Sequence, residues 1–315
     1  MCRASAVIVW SLLIPTIISA SEPERLLNVR DMYPSISPDG RVLVFESNRS
    51  GTSQIYARIL GDEAGDASTI KLTNSEFGAE TPVISPDGTK IVLAIYVAEG
   101  NNDVFVMNID GSDLRQLTFG PGYDGHPHWN SDGSRIAFNS DRTTPDRDAA
   151  WSDRWHEIFS MSSDGSDVVQ HTRCQAVCTY GSISPDGTRI LYRRVLAEPG
   201  LNWALDDIHS NSEIFVANLD GSGEVNVSRN KAFDGWPVWS PGGDMIAFAS
   251  NRSGPPRTGH IWTVKPNGSG AMQITSGSWS YTQPAWSFDG KSLLAYQFEE
   301  TEDHEFGSVV RIALH

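Results

Sequence analysis

The chain has 315 residues, 39% hydrophobic and 20% charged, so it is long enough to bury a large core and too apolar for a disordered polymer. Its formal net charge of −15 repels phosphate backbones and anionic lipid, which excludes nucleic acid and acidic membrane surfaces as expected partners.

In chain order, the first element is a leader. Arg3 precedes an apolar run from Ala6 to Ile18, followed by the small residues Ser19, Ala20 and Ser21. This is the layout of a secretory signal peptide with cleavage near Ala20. The run is short for a membrane span and is broken by Pro15, so an anchor is the poorer reading. Residues 1–20 are therefore expected to be removed, leaving residues 21–315 as one domain, periplasmic or secreted, with no transmembrane segment. Cys2 leaves with the leader. Cys174 and Cys178 remain, and in an oxidising compartment they read as a disulfide; two free thiols, or a metal pair assisted by His171, are the alternatives.

Beyond the leader one turn recurs six times, as "SPDG", "SPDG", "NSDG", "SPDG", "SPGG" and "SFDG". It ends at Gly40, Gly88, Gly133, Gly187, Gly243 and Gly290, in steps of 48, 45, 54, 56 and 47 residues. A period of this size marks stacked supersecondary units. Each unit reads as strand, tight turn, strand, loop, strand, tight turn, strand. The flanks are β-branched and aromatic, as in "RVLVF" and "RIAF", and a second turn follows at Asp110-Gly111, Asp164-Gly165, Asp220-Gly221 and Asn267-Gly268. The reading is an all-β, six-bladed β-propeller of four-stranded antiparallel blades. The last blade supplies only three strands before the chain ends at "SVVRIALH". The segment 26–29, which aligns with the outer strand "RQLT" of another blade, is expected to complete it and close the ring. Trp129, Trp239 and Trp286 share one repeat position with Ile36, Ile84 and Ile183 and read as packing between blades.

The pattern P-x-W-S-x-D-G-x-x-I-A-F-x-S-N-R, followed by I-W/F-x-V/M-x-x-D-G-S, resembles the repeats of the TolB-like propeller family from Leu26 to Leu314. The resemblance implies an exported, protein-binding propeller, and relatives of this kind include some polysaccharide lyases and the lids of prolyl peptidases. TolB proper carries an α/β domain ahead of its propeller, and none is read here. No "G-x-S-x-G" nucleophile elbow follows the repeats, so a whole peptidase is not expected.

Strand order places both tight turns of every blade on one face and the longer loops on the other. The longer loops carry insertions at residues 143–155 and 197–212 and an acidic stretch at 299–307. Binding groups concentrate on such loops, so the long-loop face is the expected functional face. Its aromatic candidates are Trp151, Trp155 and Trp203 on the insertions, with Trp236 and Trp279 on inter-blade loops. Asp124 and Asp234 recur in "YDGHP" and "FDGWP", as ligand contacts or as turn residues. His126 and His128 form an H-x-H pair that strand alternation would project to one face. A third ligand from His209, His260 or His304 would complete a metal site. Arg142 follows its second strand as Arg49 and Arg252 follow theirs, and Arg194 is near the equivalent place. Recurrence favours paired structural arginines, while Arg142 and Arg194 also stand as anion-binding candidates.

The expected function is a non-catalytic, exported binding propeller, monomeric, docking a protein or a glycan on the long-loop face. The alternative is a carbohydrate-active enzyme, a polysaccharide or oligosaccharide lyase with a metal-assisted site on that face. No cofactor is firmly implied; a divalent metal is the one the histidines leave open.

Overall fold

The structure, a computed structural model, describes residues 24–25, 30–61, 69–196, 211–254, 258–299 and 307–314. Within them the repeat becomes six four-stranded antiparallel sheets. Their inner strands are Asp31–Ile36, Ala79–Ile84, Asp124–Trp129, Cys178–Ile183, Asp234–Trp239 and Ser280–Trp286. The sheets are numbered here as blades one to six.

The recurring turn forms for a local reason. Ser37 Oγ donates to Asp39 Oδ1 at 2.5 Å and accepts from the Val42 amide at 2.9 Å, while Gly40 N closes the turn on Ser37 O at 2.8 Å. Ser85 with Asp87 and Ser184 with Asp186 repeat the arrangement. Gly40 takes φ 73°, a value glycine adopts without steric penalty.

A second device holds the outermost strands, which are only two residues long in every blade. Just past that strand a hydroxyl accepts the amide of the third strand: Thr73 from Ile55, Thr118 from Val104, Thr172 from Ile158, Ser228 from Ile214 and Thr275 from Ile261. The short ladder thereby leaves no buried amide unpaired at these places.

Adjacent blades share six apolar clusters. The last joins Leu294 and Val309 of blade six to Leu43, Phe45 and Tyr56 of blade one, so the ring closes through its core. The second strands are covered on both faces, which is why they read as continuous apolar runs rather than alternating ones: Leu43, Val44 and Phe45 are all fully buried. Trp129 and Trp239 pack between blades as expected, each donating its indole N–H to the preceding blade, at Val83 O (3.2 Å) and Ser182 O (3.3 Å). Outermost on blade six, Glu24–Arg25 pairs antiparallel with Gly307–Ala313, placing Glu24 opposite Arg311. The expected partner segment 26–29 lies outside the described residues, as do the leader, Trp203, His209 and His304. No helix among the described residues is long and apolar enough to cross a membrane.

Candidate functional site

Every inner strand breaks its register at one place, between Met32 and Ser35 in blade one and at the matching residues of the other five. At each break a non-glycine residue takes a positive φ: Tyr33 (49°), Thr81 (51°), His126 (48°), Tyr180 (56°), Trp236 (52°) and Gln283 (53°). Five of the six precede proline and the sixth precedes Gly181. Such a conformation costs on the order of 1–3 kcal/mol per residue. A bulge re-aims its side chain, and here six bulges aim six side chains at the propeller axis.

These side chains meet. The Tyr33 amide donates to Gln283 Oε1 at 2.9 Å across the join between blades one and six, and the Tyr33 and Tyr180 hydroxyls lie 3.3 Å apart. The His126 and Tyr180 rings are 4.0 Å apart, and Trp236 packs at 6.2 Å from Tyr180. Together they floor a cavity of about 300 Å³ that extends to the tight turns. Its wall is apolar, with Pro34, Pro82, Pro127, Pro237 and Pro284 near the floor and Pro86, Pro185, Pro241 and Phe288 near the mouth. The axial cavity therefore opens on the face opposite the one the insertions had singled out.

On the long-loop side of the floor the interior is polar. Glu80 accepts from Asn102 (2.7 Å), Tyr123 (2.9 Å) and Tyr96 (3.2 Å). Glu46 is buried nearby; burial, reinforced by the Glu80 charge, pushes its carboxyl up to about 8. Burial also holds His126 down at about 3, so its imidazole is neutral, with Nδ1 2.7 Å from Asn139 Oδ1.

The structure separates the sequence candidates. Asp124 and Arg142 are partners in an ion pair at 2.9 Å, and Asp234 with Arg252 and Asp31 with Arg49 repeat it at the same distance. Each arginine also lies over two rings, as Arg252 does over Phe248 and Trp262. Asp124, Asp234 and Arg142 thus have structural partners of the recurring kind. Arg194 is not the equivalent of Arg142: it faces Cys178 across the strand pair, in the register serine holds in blades one, three and five. It pairs with Glu224 at 2.8 Å over the Phe215 ring.

His126 and His128 both line the axial cavity, but the bulge between Gly125 and His128 breaks the alternation that would have paired them. His128 Nδ1 is engaged with its neighbour's carbonyl, Trp129 O, at 2.8 Å. Among the described residues the one grouping of three metal-ligand side chains is Glu157, Cys174 and Cys178. There the sulfurs are joined as the expected disulfide, and Glu157 accepts from Thr172 Oγ1 (2.6 Å) and the Gln175 amide (2.7 Å). His171 does not join them, being bonded to Leu219 O and Ser160 Oγ.

Of the aromatic candidates, Trp151 stands 44% exposed in the short 3-10 helix Trp151–Asp153, with its ring 4.7 Å from that of His156. The surrounding insertion is tied down by Arg154, which reaches Asp141 at 3.2 Å, and by the Trp155 amide on Thr144 Oγ1. Trp236 and Trp279 pack against the core between blades five and six, and Trp236 also floors the cavity. The sequence reading missed Tyr33, Tyr180 and Gln283 as axial residues; the recurring X-Pro inside the inner strand was the available signal for Tyr33 and Gln283, and Tyr180, which precedes glycine, lacked it.

Residues 60–257, more than half of the chain, match the family model of the tricorn protease N-terminal β-propeller domain. The chain belongs to this propeller family. The TolB-like character of the repeats is borne out by relatives: the Tol-Pal system protein TolB of Francisella tularensis is 26% identical over 223 residues, 70% of this chain. That match spans 45% of the relative's length, so the chain corresponds to less than half of it. Among solved structures, a putative TolB from Agrobacterium tumefaciens superposes with a TM-score of 0.64 at 21% identity, covering 91% of both chains. An oligogalacturonate lyase in complex with manganese superposes at 0.59 and 13% identity, covering 92% of both. At these identities the superpositions speak for the fold alone.

Proposed function

We propose that this chain is a non-catalytic binding propeller, exported to the periplasm, which receives a segment of a protein partner in its axial cavity. One observation carries the reading: a proline- and tryptophan-walled funnel with a few polar groups at its floor. Such a lining rewards apolar side chains and offers little to a hydrated glycan, and ligand sites of this build are mostly apolar with a few orienting polar groups. Similarity to proteins named for the Tol–Pal system supports a protein partner and a periplasmic setting.

A photo-reactive phenylalanine analogue in place of Phe288, at the mouth, tests this against the same analogue in place of Trp151. Partner adducts at position 288 but not at 151 are the expected result. Adducts at 151 alone would move the docking face to the long loops, where the exposed Trp151 is the ring a glycan would stack on.

The lyase reading retains one favourable observation, His126 and His128 on the cavity wall. Unsaturated products absorbing in the ultraviolet, formed from polyuronates with manganese present, would establish it over the binding reading.

A further inference from the structure

Arg193 lies beside Arg194 but points elsewhere. It sits opposite Thr179 in blade four, one residue to the long-loop side of Tyr180, and is 9% exposed. The arginines of blades one, three and five each hold an aspartate at 2.9 Å. Arg193 has no ion pair among the described residues, and its buried Nε has no hydrogen-bond partner. Its guanidinium lies instead over the rings of Tyr180 (5.5 Å) and Phe233 (5.6 Å).

Burying a charge without a counter-ion is strongly unfavourable, and two cation–π contacts offset only part of that cost. Two further donors nearby are also unspent. Asn139 uses its oxygen on His126, leaving buried Nδ2 without an acceptor, and Thr179 Oγ1, across the strand pair from Arg193, has no partner. Asn139 and Arg193 flank the His126 and Tyr180 rings, which touch at a tilt, from blades three and four. A cation and two orphan donors with no acceptor form the complement of an anion. The same axial layer carries Glu46 and Glu80 from blades one and two, so the site tolerates one negative charge better than two. A guanidinium also matches the planar fork of a carboxylate.

We infer that blades three and four hold a carboxylate-binding site, with the Arg193 guanidinium as its main contact and Asn139 Nδ2 and Thr179 Oγ1 as supporting donors. The site lies on the opposite side of the axial floor from the proposed protein-docking funnel, so either reading can fail without the other.

The test is calorimetric titration of the full chain with acetate and with D-galacturonate, at constant ionic strength, against inorganic phosphate. Saturable binding of both carboxylates, tighter than phosphate, is the expected result. Arg193→Met should weaken it at least about tenfold, the minimum for a lost charge-assisted contact. Thr179→Val, which preserves side-chain shape, should weaken it several-fold and guards against misfolding of the first variant. A purely structural Arg193 would instead show a lowered melting temperature in Arg193→Met and no carboxylate response in the parent. The inference is overturned by absent saturation with either carboxylate, by phosphate binding equally well, or by unchanged affinity in both variants.

Discussion

Glu46→Gln isolates what the buried carboxylate does to stability. Glu46 is 5% exposed, and its carboxyl is raised from 4.5 to about 8 by burial first and by the Glu80 charge second, against hydrogen bonds from Ser53 and the Thr81 backbone. A folded-state value above the unfolded one means that the native protein holds the proton more tightly. The stabilisation is therefore complete below about pH 4.5 and is lost as pH rises through about 8. That interval corresponds to roughly 4–5 kcal/mol at about 1.4 kcal/mol per unit. Gln keeps the shape and the acceptor for Ser53 without the charge, but leaves an amide N–H unpaired at a cost of about 1 kcal/mol. Above pH 8 the variant should be more stable than the parent by on the order of 3 kcal/mol, with the advantage vanishing near pH 4.5. Urea unfolding at pH 5 and pH 8.5 measures this as a midpoint shift of roughly 1 M, taking a slope of about 3 kcal/mol/M. Parallel pH dependence in the two proteins would refute the argument that this carboxylate is desolvated.

The recurring Asp–Arg clamp gives a graded prediction. Asp234→Asn strands Arg252, whose side chain is 10% exposed, and should cost about 3–5 kcal/mol, read by calorimetry as a melting point lower by roughly 5–8 °C. Adding Arg252→Met should recover most of the loss, while Asp124→Asn should cost less because Arg142 is 32% exposed. Equal losses at both sites would contradict the dependence on burial. For the disulfide, Cys174→Ser with Cys178→Ser should cost about 2 kcal/mol, the chain-entropy value for a five-residue loop. An unchanged urea midpoint on reduction of the parent would contradict it.

The architecture was legible because one turn chemistry recurs at a near-constant period and fixes which strands pair. The axial site was not, because two assumptions fail at the same strand position. Alternation along a strand predicts that His126 and His128 share a face, but the bulge between Gly125 and His128 resets the count, and it does so in all six blades. Proximity in sequence singled out Arg194, whereas pairing opposite Thr179 turns Arg193 inward and leaves Arg194 on Glu224. Register then shows where the repeat stops repeating. The second-strand residues facing Met32, Glu80, Gly125, Thr179, Gly235 and Thr282 are Glu46, Ala94, Asn139, Arg193, Ala249 and Tyr296. The turns demand nearly the same residues in every blade because backbone geometry admits few alternatives. This ring beside the axis carries an acid, an amide, a guanidinium, a phenol and two alanines, although the backbone at all six positions is equivalent. The strand pairing does not require that difference, and the carboxylate site proposed at Arg193 and Asn139 would account for two of its members.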